Sequence, residues 1–223
     1  MNLRTIEHEL KKRLDHPYQW RRKQNNDFDS QTRYIYRLQN FEELLKTIEV
    51  QHPNDPQKDY FNYTLNRWYN FWSAKAIEKI FCQAINVEAE KNPYHKQKDF
   101  SIDNLSFDHK TSVFPKAYPT PFGHTQQNPK DLLKWLYQHQ SQQGRKHLEN
   151  RLFIILYNES NQEHWKLKSE IQWLKILIEN YLKNFDKNKL QTFHFLPNKV
   201  TYADAIFAVK KSSIKKAMPQ NET

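Results

Sequence analysis

The chain of 223 residues carries 35 Lys+Arg against 25 Asp+Glu, a formal net charge of +10, and its 27.2 kDa is heavy for the length because it holds 6 Trp, 12 Tyr and 14 Phe. Its two glycines, Gly123 and Gly144, rule out the phosphate-cradling loops of nucleotide-binding folds, and its single cysteine, Cys82, rules out an internal disulfide and every CxxC zinc site. No apolar run approaches a membrane span and Met1-Asn2-Leu3-Arg4-Thr5 has no signal-peptide core, so a cytoplasmic protein with no membrane partner is expected, its excess positive charge pointing to a polyanion.

Residues 1–52 read as helical at both ends, with Ile6, Leu10 and Leu14 on one stripe and Phe41, Leu44, Leu45 and Ile48 on another. Between them runs the basic and aromatic stretch Trp20-Arg21-Arg22-Lys23-Gln24-Asn25-Asn26, and His52-Pro53-Asn54-Asp55-Pro56 is a breaker. The pattern over 60–86, with Trp68, Trp72, Ala76, Ile80 and Phe81 as its heavier members, predicts a helix feeding a core. The period then changes. Phe100 and Ile102, then Leu105 and Phe107, alternate with polar residues around Asp103-Asn104, whose residue types tolerate the positive φ of a two-residue hairpin turn.

A Pro-rich loop (Pro115, Pro119, Pro121) leads to Asn128-Pro129, an N-cap with Pro at the first helical position, and a helix to about residue 143. The continuous apolar run over 151–157 predicts a strand buried on both faces. A helix over 163–185 and strands over 192–196 and 202–209 follow. The expected class is α/β: a mixed central sheet flanked by helices over 61–223, preceded by an N-terminal helical extension over 1–60.

With Asp103 and Asn104 as the turn, Ile102 opposes Leu105, Ser101 opposes Ser106, Phe100 opposes Phe107, and Asp99 opposes Asp108. Alternation then places Asp99, Ser101, Ser106, Asp108 and Lys110 on one face and Phe100, Ile102, Leu105 and Phe107 on the other. Directly opposed carboxylates repel, so the pair calls for compensation by a divalent metal with oxygen ligands and by the Lys110 ammonium. Asp103 is the poorer first ligand, since the turn tip would lie about 10 Å along the strand from Asp108.

Asp99 followed by Asp108-His109-Lys110 on the next strand resembles the PD-(D/E)xK motif of the restriction-endonuclease-like phosphodiesterases, in its DxK variant and with Lys98 where the motif name has Pro. The likeness covers the element order from about residue 68 to 209, matching an αβββαβ core, and leaves residues 1–60 unexplained. It implies Mg²⁺-dependent phosphodiester hydrolysis, with Mn²⁺ as a substitute. Asp99, Asp108 and the backbone carbonyl of His109 would hold the ion, and Lys110 would orient or deprotonate the attacking water. Family enzymes often carry a Glu on the preceding helix, and Glu78, on the stripe of Ala74, Ile77, Phe81 and Ile85, is the matching third carboxylate, for a second metal or an ordered water.

The nucleic-acid contacts expected are Arg21, Arg22, Lys23, Ser112, Arg145 and Lys146; Arg151 belongs to the same charge run, as a phosphate grip or a solvated face. The His109 ring alternates onto the core face as a packed residue, while His124, His139 and His147 share no metal-ligand spacing and read as polar surface. The expected function is a metal-dependent nuclease, an endonuclease cutting DNA in preference to RNA, and a homodimer is compatible with the chain. The alternative is a nucleic-acid-binding module on the same fold without catalysis.

Overall fold

The computed structural model describes residues 1–20, 27–55, 58–92, 95, 97–139 and 147–212. In chain order the elements are α1 (Leu3–Lys12), α2 (Asp27–Gln31), α3 (Phe41–Gln51), α4 (Asp59–Phe81), β1 (Val87–Ala89), β2 (Phe100–Ile102), β3 (Leu105–Val113), α5 (Phe122–Gln127), α6 (Pro129–Gln138), β4 (Arg151–Asn158), α7 (Ile171–Lys183), β5 (Gln191–Leu196) and β6 (Lys199–Lys210). No helix among the described residues is long and apolar enough to cross a membrane.

Asp103 and Asn104 do turn the chain with positive φ, 45° and 64°, and β2 and β3 pair in the register Phe100 to Phe107, Ser101 to Ser106 and Ile102 to Leu105. The six strands form one mixed sheet in the order β1-β2-β3-β4-β6-β5. β1 runs antiparallel to β2 and β2 to β3; β4 is parallel to β3, β6 parallel to β4, and β5 closes the far edge antiparallel to β6.

The continuous apolar run of β4 is covered on both sides, as a central parallel strand requires. Leu152, Ile154 and Leu156 join the larger core with α1, α3, α4 and α7, whereas Phe153 and Ile155 join a second cluster with Leu132, Leu133, Leu136 and Tyr137 of α6. The polar face of the hairpin, carrying Asp108 and Lys110, therefore looks toward the α6 side of the sheet. Ser101 and Asp108 are both buried, Asp108 under His147 and Arg151 from the chain entering β4.

The long helix α4 is buried on nearly every side, carrying Tyr60, Tyr63, Trp68, Tyr69, Trp72, Ile77 and Phe81, because the N-terminal segment wraps the side the sheet leaves free. Asp55 caps it, accepting the backbone N–H of Asp59 (3.0 Å) and of Phe61 (2.9 Å). Trp68 donates its indole N–H to the Leu38 carbonyl and Trp72 to that of Ile35. Arg13, fully buried, donates to Asn66 Oδ1 (2.6 Å) and to the carbonyls of His16 and Pro17. Residues 1–52 thus share one core with the sheet.

Several elements depart from expectation for local reasons. The helix over 60–86 stops at Phe81, since Ile85 is fully exposed and the chain turns into the three-residue strand β1. The helix over 163–185 is a 3₁₀ turn from His164 to Ser169 followed by α7, the break falling at Glu170 with ψ 60°. The Pro-rich loop contains the short helix α5, which begins after Pro121. α6 ends at Gln138, and its expected continuation to residue 143 lies outside the described residues.

Candidate functional site

Strand β3 has different partners on its two edges. On one edge Leu105 to Phe107 pair with β2, on the other Asp108 to Val113 pair with β4, and from Asp108 onward no described strand continues the β2 edge. At that divergence the expected opposition of Asp99 and Asp108 gives way. The Asp99 N–H donates to the Phe107 carbonyl (2.9 Å), one residue off the hairpin register, which takes the two aspartates out of direct pairing. Asp99 instead turns its carboxylate toward the open edge of β3. Its Oδ2 accepts the backbone N–H of His109 (2.8 Å) and meets the ring Nδ1 of His109 at 2.8 Å. The buried His109 ring lies beside those of Phe81 and Phe100, as its alternation onto the core face predicts.

Asp108 points to the α6 side and is held by three groups. Its Oδ1 meets Lys110 Nζ at 2.7 Å, and its Oδ2 meets Arg151 Nε at 3.0 Å and His147 Nε2 at 3.2 Å. The side chains of Asp108, Arg151 and His147 are 4%, 3% and 5% exposed, that of Lys110 39%. His147 is accordingly no polar surface residue, and Arg151 is neither a phosphate grip nor a solvated charge: both are consumed by a buried carboxylate. His124 and His139 are exposed, as expected, with His139 stacked on Trp135.

Electrostatics tie the acids together. Burial would raise the Asp108 carboxyl, but the hydrogen bond from His147 and the charges of Lys110 and Arg151 outweigh it and hold the group far below the usual carboxylate range. For Asp99, burial and the nearby charge of Asp108 push upward; the hydrogen bonds and charge of His109 prevail, and the group is lowered. Burial, together with the charges of Glu78 and Asp99, lifts the Cys82 thiol to about 11. Glu78 itself is half-buried and paired with Lys75 at 2.6 Å. Ser112 is half-buried on the Lys110 side of β3 and donates to the Val113 carbonyl. Arg21, Arg22, Lys23, Arg145 and Lys146 lie outside the described residues.

A carboxyl lowered on folding stabilises the fold above its unfolded value, about 4, and that contribution is lost as pH falls through the folded value. The stability gap between wild type and Asp108→Asn, measured by urea unfolding, is therefore expected to be constant from pH 7 to 5 and to narrow below about 4. A gap that persists unchanged at pH 2.5 would mean that the ionised Asp108 does not stabilise the fold.

The donor chemistry suits a small hard cation. Asp99 Oδ1 accepts no hydrogen bond from the described residues, and among them only Lys110 engages Asp108 Oδ1, from a long side chain that is 39% exposed and can swing aside. Because the N–H and C=O of one strand residue leave on the same side, the His109 carbonyl faces the edge that β2 has left. No cluster of three or more His, Cys, Asp and Glu side chains fit for a metal occurs among the described residues. Mg²⁺ does not require one: it is commonly held by one or two carboxylates with water and substrate phosphate completing the shell.

No protein-family model matches the chain, and no curated protein and no solved structure is significantly similar to it. The class that stands on the fold is an α/β protein with a mixed, open six-stranded sheet flanked by helices.

Proposed function

We propose that the chain is a divalent-metal-dependent phosphodiesterase, a nuclease of the PD-(D/E)xK type acting on DNA in preference to RNA. The observation that carries this reading is the placement of Asp99, Asp108 and Lys110 around the point where β2 leaves β3, with the Lys110 ammonium half in solvent beside a buried carboxylate. The succession α4, β1, β2, β3, α6, β4, with β2 antiparallel and β4 parallel to β3, supports the αβββαβ core that the motif implies.

Asp99 and Asp108, each through its Oδ1, and the His109 carbonyl are the groups that would hold Mg²⁺ or Mn²⁺. A bound ion there supplies a more acidic water and neutralises charge on the phosphorus oxygens. Lys110 is the group placed to orient the attacking water and to steady a nonbridging phosphate oxygen. Glu78 is set back, paired with Lys75, and fits the ordering of a water better than direct ligation. The net charge of +10 favours a polyanionic substrate, and Ser112, on the Lys110 side of β3, would be the hydroxyl to contact its phosphate.

One observation favours the second reading, a nucleic-acid-binding module without catalysis: Asp108 is already compensated by Arg151, His147 and Lys110. Incubating the purified chain with supercoiled plasmid, linear DNA and RNA, each with Mg²⁺, Mn²⁺ or EDTA, separates the two. Metal-dependent cleavage abolished by EDTA is the expected result. Salt-sensitive DNA binding without cleavage under any ion would hand the site to the binding module.

A further inference from the structure

We propose that His147 and Arg151 are positioning residues that clamp Asp108 Oδ2 from the buried side, so that Oδ1 is the oxygen presented to the metal; this rests on the nuclease reading above. An aspartate carboxylate rotates broadly about its last bond, and left to itself it would offer either oxygen. Here the two oxygens are treated unequally. Oδ2 receives Arg151 Nε at 3.0 Å and His147 Nε2 at 3.2 Å, both side chains nearly inaccessible, whereas among the described residues Oδ1 meets only Lys110.

The histidine tautomer follows from its other nitrogen. The Glu149 N–H donates to His147 Nδ1 (3.3 Å), which makes Nδ1 the acceptor and leaves the ring proton on Nε2, aimed at Asp108. Arg151 Nη2 also lies 3.2 Å from the same Nε2, so the guanidinium and the imidazole brace each other beside Asp108. Arg151 is fixed in turn. It stands in register with Asp108 across the parallel β3 and β4 pair, and its guanidinium lies 5.4 Å from the centre of the Tyr137 ring of α6. Tyr137 donates its hydroxyl to the Glu149 carbonyl (2.8 Å), so α6 and the chain entering β4 hold both clamping groups. Partners of this kind, which touch a ligand's far oxygen, fix its orientation and affect the affinity for the ion.

The test uses the full chain, Mn²⁺ alone as the probe in calorimetry, plasmid nicking as a second readout, and thermal melting as a control for folding. His147→Ala is expected to weaken Mn²⁺ binding by about 10–100-fold and to slow nicking in step. His147→Gln, whose amide N–H can reach the same oxygen, is expected to return both to within about threefold of wild type. A purely structural histidine gives another pattern: both variants melt lower while Mn²⁺ affinity per folded molecule stays at the wild-type value, and that result overturns the clamp. Should wild type bind Mn²⁺ and His147→Ala bind it equally well, the clamp fails alone. Should wild type bind no Mn²⁺, the nuclease reading fails and takes the clamp with it.

Discussion

Replacing Lys110 by alanine is expected to leave a folded protein that binds divalent ions at least as tightly as wild type and cleaves DNA about 10²–10⁴-fold more slowly at saturating metal. The fold should tolerate the change because the Lys110 side chain is 39% exposed and Arg151 and His147 remain against Asp108 Oδ2. Metal binding should not suffer, since a cation leaves the neighbourhood of two acids and Asp108 Oδ1 loses its one competitor. Only the step that needs a positive group beside the attacking water and the phosphate is left unserved. Single-turnover cleavage at saturating Mn²⁺ reads this directly. Activity within a few-fold of wild type would remove Lys110 from the chemistry.

The second large effect is on stability and does not depend on the substrate. Arg151→Met removes the nearly inaccessible cation that lies against Asp108 Oδ2 and strands part of a buried negative charge, a change that typically costs about 3–5 kcal/mol. His147 and Lys110 remain as partners, which places the expectation toward the lower end of that range. Against an ordinary domain stability of about 5–15 kcal/mol this is a large fraction. The urea midpoint should fall sharply. Adding Asp108→Asn to Arg151→Met should recover part of the loss, because the uncompensated charge is then gone. A single variant within about 1 kcal/mol of wild type would show that Arg151 is not what compensates Asp108.

The parts of this structure that were legible in the sequence are those fixed by short-range rules. The hairpin is one: period-2 alternation and an Asp103-Asn104 turn specify both strands and their register, and the structure has them. The strand at β4 is another, because an unbroken apolar run fits only a strand covered on both faces. Legibility ended where the pairing did. Asp99 would oppose Asp108 if the register ran on, but β2 pairing ends at Phe100 and Phe107, the Asp99 N–H shifts onto the Phe107 carbonyl, and the Asp99 carboxylate settles on His109. No alternation rule carries that information.

His147 and Arg151 were misread for a related reason. Arg151 meets Asp108 through a parallel register linking residues 43 apart in the chain, and His147 reaches the same carboxylate from 39 residues away, beyond any local pattern. Only the alignment of the apolar run beginning at Arg151 against the DxK strand could have hinted at the pairing, and that alignment is a tertiary fact. β1, three residues long, is too short to carry a period. The N-terminal segment showed its apolar stripes but not their destination, since a stripe says that a face is buried and not against which element.

The acidic pair as a metal site is tested most directly by soaking Mn²⁺ into crystals of the chain without nucleic acid and collecting anomalous diffraction. The expected result is a peak in contact with Asp99 and Asp108 beside the Lys110 ammonium. A map with no peak between these two carboxylates, at a Mn²⁺ concentration far above that used for cleavage, would contradict it.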